Sequence, residues 1–284
     1  MKLSSLITQL IVAAAVFGLG YYLPKDMQKE SENTDKPRRG ATMYDFEKEN
    51  IRKAVQDYQS LPPRIKAALV GCRLGLLFTT EGTSAFDADE SYNGHERIQY
   101  YTARDNALLI DFEGRTYSFH SIIEERNKTP GAQEKWSNIM QVIGGTTDAN
   151  FFAQLGEDVS KLAQEAAKYH LKNLSQQKQD AWLAYQMRLL FRENGDSIFT
   201  GRVYRHQIPG THSELVFRQV TGDTCFVDST GNILYFNPIR DQIDSSPKEL
   251  GIWRYAATCA ALLKPREIAA LFPEKLKTMR PSKK

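Results

Sequence analysis

Residues 95–136 of this chain can be laid on residues 212–253 without a gap, and a self-match at a fixed displacement constrains the chain to build one unit twice. His95 then meets His212, Asp111 meets Asp228, Gly114 meets Gly231, Phe119 meets Phe236, Ile122 meets Ile239, Pro130 meets Pro247 and Trp136 meets Trp253. Average residue usage gives roughly two to three identities over such a window. The competing reading is two β-meanders that resemble one another by composition alone.

The non-identical pairs keep their character. Ile98 faces Leu215, Tyr100 faces Phe217, Leu109 faces Phe226 and Ile110 faces Val227, swaps that preserve an apolar strand face. Each copy places Asp first and Gly fourth in a turn, Asp111-Phe112-Glu113-Gly114 and Asp228-Ser229-Thr230-Gly231. With earlier turns at Asp105-Asn106 and Gly222-Asp223, each copy reads as a three-strand meander: 97–103, 107–111 and 115–119, then 214–220, 224–228 and 232–236. Further strands are expected around Leu74–Thr80 and Ser197–Arg205. After each meander a proline opens a helix carrying the matched tryptophan. Gly144-Gly145 ends the first of these helices.

The N-terminus carries the second strong signal. Met1 and Lys2 precede an uncharged stretch, Leu6 to Leu23, that is long enough as a helix to span a hydrocarbon core. Tyr21 and Tyr22 suit an interfacial anchor, while Ala13-Ala14-Ala15 and Gly18-Leu19-Gly20 leave a cleaved signal peptide as the alternative. No cysteine precedes Cys72, which rules out an N-terminal lipid-modified cysteine. Residues 24–40 are charged and almost without apolar side chains, so they read as a tether. The bulk of the chain is expected on the extracytoplasmic side of a cytoplasmic or inner membrane, or free in the periplasm or secreted if the segment is cut.

The expected fold is therefore α+β: two tandem similar units, each an antiparallel β-meander flanked by helices, behind an N-terminal hydrophobic helix. The expected domains are an anchor or signal segment at 1–23, a tether at 24–43, a first unit at 44–157, a helical connector at 158–180, a second unit at 181–275 and a basic tail at 276–284. In the connecting helices Leu155, Val159, Leu162, Ala166 and Tyr169 form one apolar stripe. A second helical stretch, Tyr44 to Leu69, is broken at Pro62-Pro63.

Chemistry-bearing residues are sparse. His95 with Glu96, and His206, His212 and Glu214, are the histidine–carboxylate candidates, and His95 and His212 stand out because they match. His120 and His170 have no matched histidine and are expected at the surface. Cys72, Cys225 and Cys259 are isolated; Cys225 and Cys259 fall opposite Leu108 and Val142, the places of ordinary core residues. The sequence holds no His-Glu-x-x-His, Gly-x-Ser-x-Gly or phosphate-loop motif, so no cofactor and no metal is expected. A net charge of +3 is too small to imply nucleic acid. The expected partners are the lipid bilayer through residues 1–23 and another protein. His95, His212, Trp136 and Trp253 are the candidate binding residues. Three function classes stay open: an envelope protein that binds another protein and has no catalytic activity, a sensor with a ligand in the cleft between the copies, and a hydrolase using the histidines and their glutamates.

Overall fold

The computed structural model describes residues 43–93, 96–145, 148–192, 203–207, 214–218 and 223–279. In chain order the first stretch of elements is α1 (Met43–Gln59), α2 (Pro63–Arg73), β1 (Phe86–Asn93), β2 (Glu96–Ala103), β3 (Leu108–Ile110), β4 (Thr116–Ser118), α3 (Phe119–Lys128), α4 (Ala132–Gly145) and α5 (Asp148–Gln154). Then come α6 (Gly156–Leu171), α7 (Gln176–Gln186), β5 (Val203–Gln207), β6 (Glu214–Arg218), β7 (Cys225–Val227), β8 (Ile233–Tyr235), α8 (Phe236–Ser245), α9 (Pro247–Ala261), α10 (Pro265–Leu271) and α11 (Pro273–Met279). The architecture is mainly helical, with small two-stranded antiparallel sheets followed by helices, an α+β mixture.

Local chemistry dictates much of this. Asp111 Oδ1 accepts the N–H groups of Glu113 and Arg115 at 3.0 and 2.9 Å. Asp228 Oδ1 accepts those of Thr230 and Asn232 at 2.9 and 2.8 Å. Gly114 and Gly231 sit at φ 78° and 92°, where a Cβ would crowd the following carbonyl. Each turn thereby closes a three-pair hairpin, Leu108↔Ser118 to Ile110↔Thr116 and Cys225↔Tyr235 to Val227↔Ile233. The N–H of Phe119 then donates to Ala107 O and that of Phe236 to Thr224 O, the same handover from strand to helix.

Agreement between the two stretches reaches upstream of the sequence match. Pro63–Arg73 and Gln176–Gln186 are equal in length. Each ends with a residue at positive φ, Gly75 at 68° and Arg188 at 59°. Leu76 N–H then donates to Gly71 O, and Leu189 N–H to Ala184 O. Both helices lead into Leu-Leu-Phe, and Phe78 bridges Leu108, the first residue of the β3–β4 hairpin, as Phe191 bridges Cys225, the first of the β7–β8 hairpin. We call Met43–Gln154 and Gly156–Leu271 the first and second halves. The helix α6, which opens the second half, also packs on β3 of the first, as α11 packs on β7.

Three expectations are corrected. The three-strand meanders divide: β2 pairs with β1 and β6 with β5, while β3 pairs with β4 and β7 with β8. The edge of β3 that β2 would need is taken by Phe78, whose N–H and C=O both bond Leu108. Phe191 does the same to Cys225. The strand expected around Leu74–Thr80 is accordingly one bridged residue, with Phe78 also bridging Ser84, and that around Ser197–Arg205 lies outside the described residues up to β5. Second, two helices follow each hairpin, because Phe119 and Phe236 start α3 and α8 before the prolines are reached. Third, His170 is buried, at 2% exposure. It lies on the inner side of α6, where it stacks on Tyr255 at 5.1 Å and meets the edge of Phe78 at 4.7 Å.

The core is continuous across the halves. At their junction Tyr255 of α9 donates its hydroxyl to Leu77 O. A Cβ on Gly251 would lie 2.8 Å from Gly82 O, so glycine there lets α9 approach the Thr79–Thr83 turn. Cys225 and Cys259 are buried and Cys72 partly so, all three as free thiols. Burial pushes the Cys259 thiol up to about 12. Among the described residues no helix is long and apolar enough to cross a membrane, and the 6–23 segment lies outside them.

Candidate interaction surface

The β7–β8 hairpin is fixed from below by a buried carboxylate. Asp180 of α7 is fully buried. Its Oδ2 accepts the Ser229 N–H at 3.0 Å and the Ser229 hydroxyl at 2.6 Å, and its Oδ1 accepts Lys275 Nζ of α11 at 2.8 Å. A buried charge is tolerable only when paired and hydrogen-bonded, and here the pairing ties α7 and α11 to the hairpin turn. Asp228 adds its own ring of bonds. Burial pushes its carboxyl up, but hydrogen bonds from Thr230 and Asn232 outweigh this and hold it below the ordinary carboxylate value.

On this fixed turn β8 alternates. Leu234 packs toward the core, while Ile233 and Tyr235 are 64% and 48% exposed. They share a face with their register partners Val227 and Cys225, of which Val227 is half-buried. The matching positions on β4 are Thr116 and Ser118, exposed and polar. With Phe46 of α1, Ile233 and Tyr235 are the large apolar side chains that the described residues leave most open. No residue from Ser229 to Ile239 carries a charge.

The residues singled out by sequence lie elsewhere. His95 falls between β1 and β2 and His212 between β5 and β6, both outside the described residues. Glu96 and Glu214 begin β2 and β6, and His206 lies opposite Leu215 in β5. Trp136 is a core residue at 8% exposure, with the Arg126 guanidinium 5.1 Å from its ring. Trp253 is half-buried and tilted against Phe236 at 6.3 Å. His120 is exposed, 3.4 Å from Glu124. Among the described residues no three His, Cys, Asp or Glu side chains converge in a way that could hold a metal ion. An open depression of about 480 Å³ where α3 meets α4 is lined by Asn127, Lys128, Thr129, Gln133, Glu134 and Ser137, a polar surface without a nucleophile–base pair.

Sequence reasoning passed over Ile233 and Tyr235. The signal was available: at the displacement that aligns the identities, these two apolar residues fall on Thr116 and Ser118 inside a strand whose inward position is already filled. No family model, curated protein or solved structure matches the chain.

Proposed function

We propose that this is a membrane-anchored protein of the cell envelope that binds another protein, holding its body on the extracytoplasmic side through residues 6–23 and the tether behind them. The body is two tandem copies of one unit, divided near residue 155. In this reading α6 and α7, which include the 158–180 stretch expected as a connector, are counted with the second copy as the counterparts of α1 and α2.

The observation that carries the binding reading is the exposed Ile233–Tyr235 pair on a clamped hairpin. Solvent-facing apolar pairs on rigid elements are the ordinary material of protein interfaces, and the first copy demonstrates that this fold does not need them there. A filled junction also favours protein binding over a ligand cleft: Phe78, His170 and Tyr255 stack where such a cleft would run.

Photo-crosslinking residues placed at 233 and 235 of the full chain in native membranes test the reading, with 116 and 118 as internal controls. The expected result is an adduct of defined mass from the first pair alone. Equal labelling from both pairs, or none, would overturn it. An activity reporter fused after Lys284 that works only in the cytoplasm would overturn the orientation.

A further inference from the structure

We infer that α11 is a detachable latch on the β7–β8 hairpin, and that its docking regulates the surface at Ile233. This rests on the protein-binding reading above and adds the control of that surface.

The helix α11 docks on the second half as α6 docks on the first. Each follows a seven-residue helix, α10 and α5 respectively. At the displacement that aligns the hairpins, Leu155, Val159 and Leu162 fall on Phe272, Leu276 and Met279, spaced as one helix face requires. All but the half-buried Phe272 are buried. The helix α6 packs on β3 and reaches the Gly114 turn, where a Cβ would lie 2.8 Å from Glu165 Oε2. Likewise α11 packs on β7 and reaches the Gly231 turn, where a Cβ would lie 3.6 Å from Thr278 Cγ2.

The two docked helices differ in what holds them. With 16 residues, α6 also packs on α9 and carries His170 into the core, so it cannot leave without opening the junction between the halves. With seven residues, α11 is too short to persist as a helix without the packing of its apolar side. It is tied to α7 through one ammonium: Lys275 Nζ donates to Gln179 Oε1 at 3.0 Å and to Asp180 Oδ1 at 2.8 Å.

That carboxylate is shared. Asp180 Oδ2 holds the turn through the Ser229 N–H and hydroxyl, so undocking of α11 strips a buried charge of its counter-ion, draws water to it and loosens the turn. The first half has no such coupling at these places, since Ala67 and Phe112, both buried and apolar, match Asp180 and Ser229. A short helix held through one shared carboxylate is the kind of low-stability element from which order–disorder switches are drawn. Only the docked state holds Ile233 in place, so the apparent affinity for the partner scales with the docked fraction.

Hydrogen exchange of the full chain in lipid nanodiscs tests the latch. Lys275→Met should speed exchange at 229–235 by about tenfold or more and leave 108–118 unchanged, and Lys275→Arg should keep the parent rates. Leu276→Ala, which weakens the docking and keeps the ion pair, should give the same local pattern at lower amplitude. Unchanged rates at 229–235 in both weakened variants, or equal acceleration in both hairpins, overturn the latch. Photo-crosslinking at 233 then separates the two readings: the yield should fall with Lys275→Met and return with Lys275→Arg. A partner trapped equally with and without Lys275 ends the regulation and leaves the binding reading standing; no partner trapped in any of the chains ends both.

Discussion

The two halves use the same main-chain hydrogen bonds and fill them with different side chains. Asp111 and Asp228 hold the same turn, yet Asp111 adds a guanidinium from Arg115 at 2.9 Å where Asp228 adds the Thr230 hydroxyl at 2.7 Å. Lys178 and Glu249 form an ion pair at 2.6 Å between α7 and α9. The matching positions in the first half are Ile65 and Ala132, both buried apolar residues. On α9 Gly251, Ile252 and Tyr255 face the first half and are buried; on α4 the matching Glu134, Lys135 and Asn138 are exposed or half-exposed. A stacked unit needs an apolar or small-residue face where it meets its neighbour and a polar one where it meets water. Main-chain geometry is thus shared by the two halves, while side-chain chemistry differs with what each half packs against.

Changes at the junction should separate the halves most sharply. Gly251→Val would drive a branched Cβ into Gly82 O, already only 2.8 Å from an ideal Cβ, and should cost about 3 kcal/mol or more in denaturant unfolding. Its counterpart Glu134→Val should stay within about 0.5 kcal/mol, because that position is exposed. Equal effects would mean that the two helices do not differ as described.

The next effect is a pH dependence. Burial pushes the His170 imidazole down to about 4 from 6.5, so between these values the unfolded chain binds a proton that the folded chain refuses. Stability is therefore full above pH 6.5, falls as pH drops through the window, and levels off for this group below pH 4, a loss of up to about 3 kcal/mol. His170→Phe should flatten that slope in urea midpoints measured from pH 7 to 4.5. An unchanged slope would show that the imidazole is not protected.

Turn carboxylates come third. Asp111→Ala and Asp228→Ala each orphan two turn N–H groups and should cost about 2 kcal/mol apiece. Burial pushes each carboxyl up, but the hydrogen bonds to it win and hold it below 3.8. Their contribution is present above that value and is lost only as pH falls through the lower folded value, beneath the histidine window. Only the Asp111 variant should also change the salt dependence of unfolding, through its ion pair with Arg115.

Smallest is the helix-ending position. Arg188 holds φ 59° where the first half has Gly75, so Arg188→Gly should stabilise by roughly 0.5 to 1 kcal/mol and Gly75→Ala should destabilise by about 1 kcal/mol. Opposite signs at matched positions in thermal melts would sharpen the comparison; like signs would break it.

Legibility followed the range of the interactions. The hairpin turns, the break at Pro62-Pro63, the glycine end of α4 and the tryptophan helices could be read because each is fixed within a few residues. The extension of the likeness upstream through α1 and α2 could not, because Ala67 and Cys72 answer to Asp180 and Tyr185, which differ from them in chemistry, and because the displacement there is four residues shorter. His170 was misread for the same cause: its environment comes from Phe78 and Tyr255, residues far away along the chain.

By itself, then, the sequence determined the self-match, the Asp-to-Gly turns, the helix breaks and the uncharged run at Ser229–Ile239, since these depend on residue identity and local φ, ψ preference. Only the tertiary structure decided that Phe78 and Phe191, rather than β2 and β6, occupy the inner edges of the hairpins, and that His170 is buried. Burial and strand pairing are settled by which distant segment arrives at an edge or face first, and no local pattern carries that information.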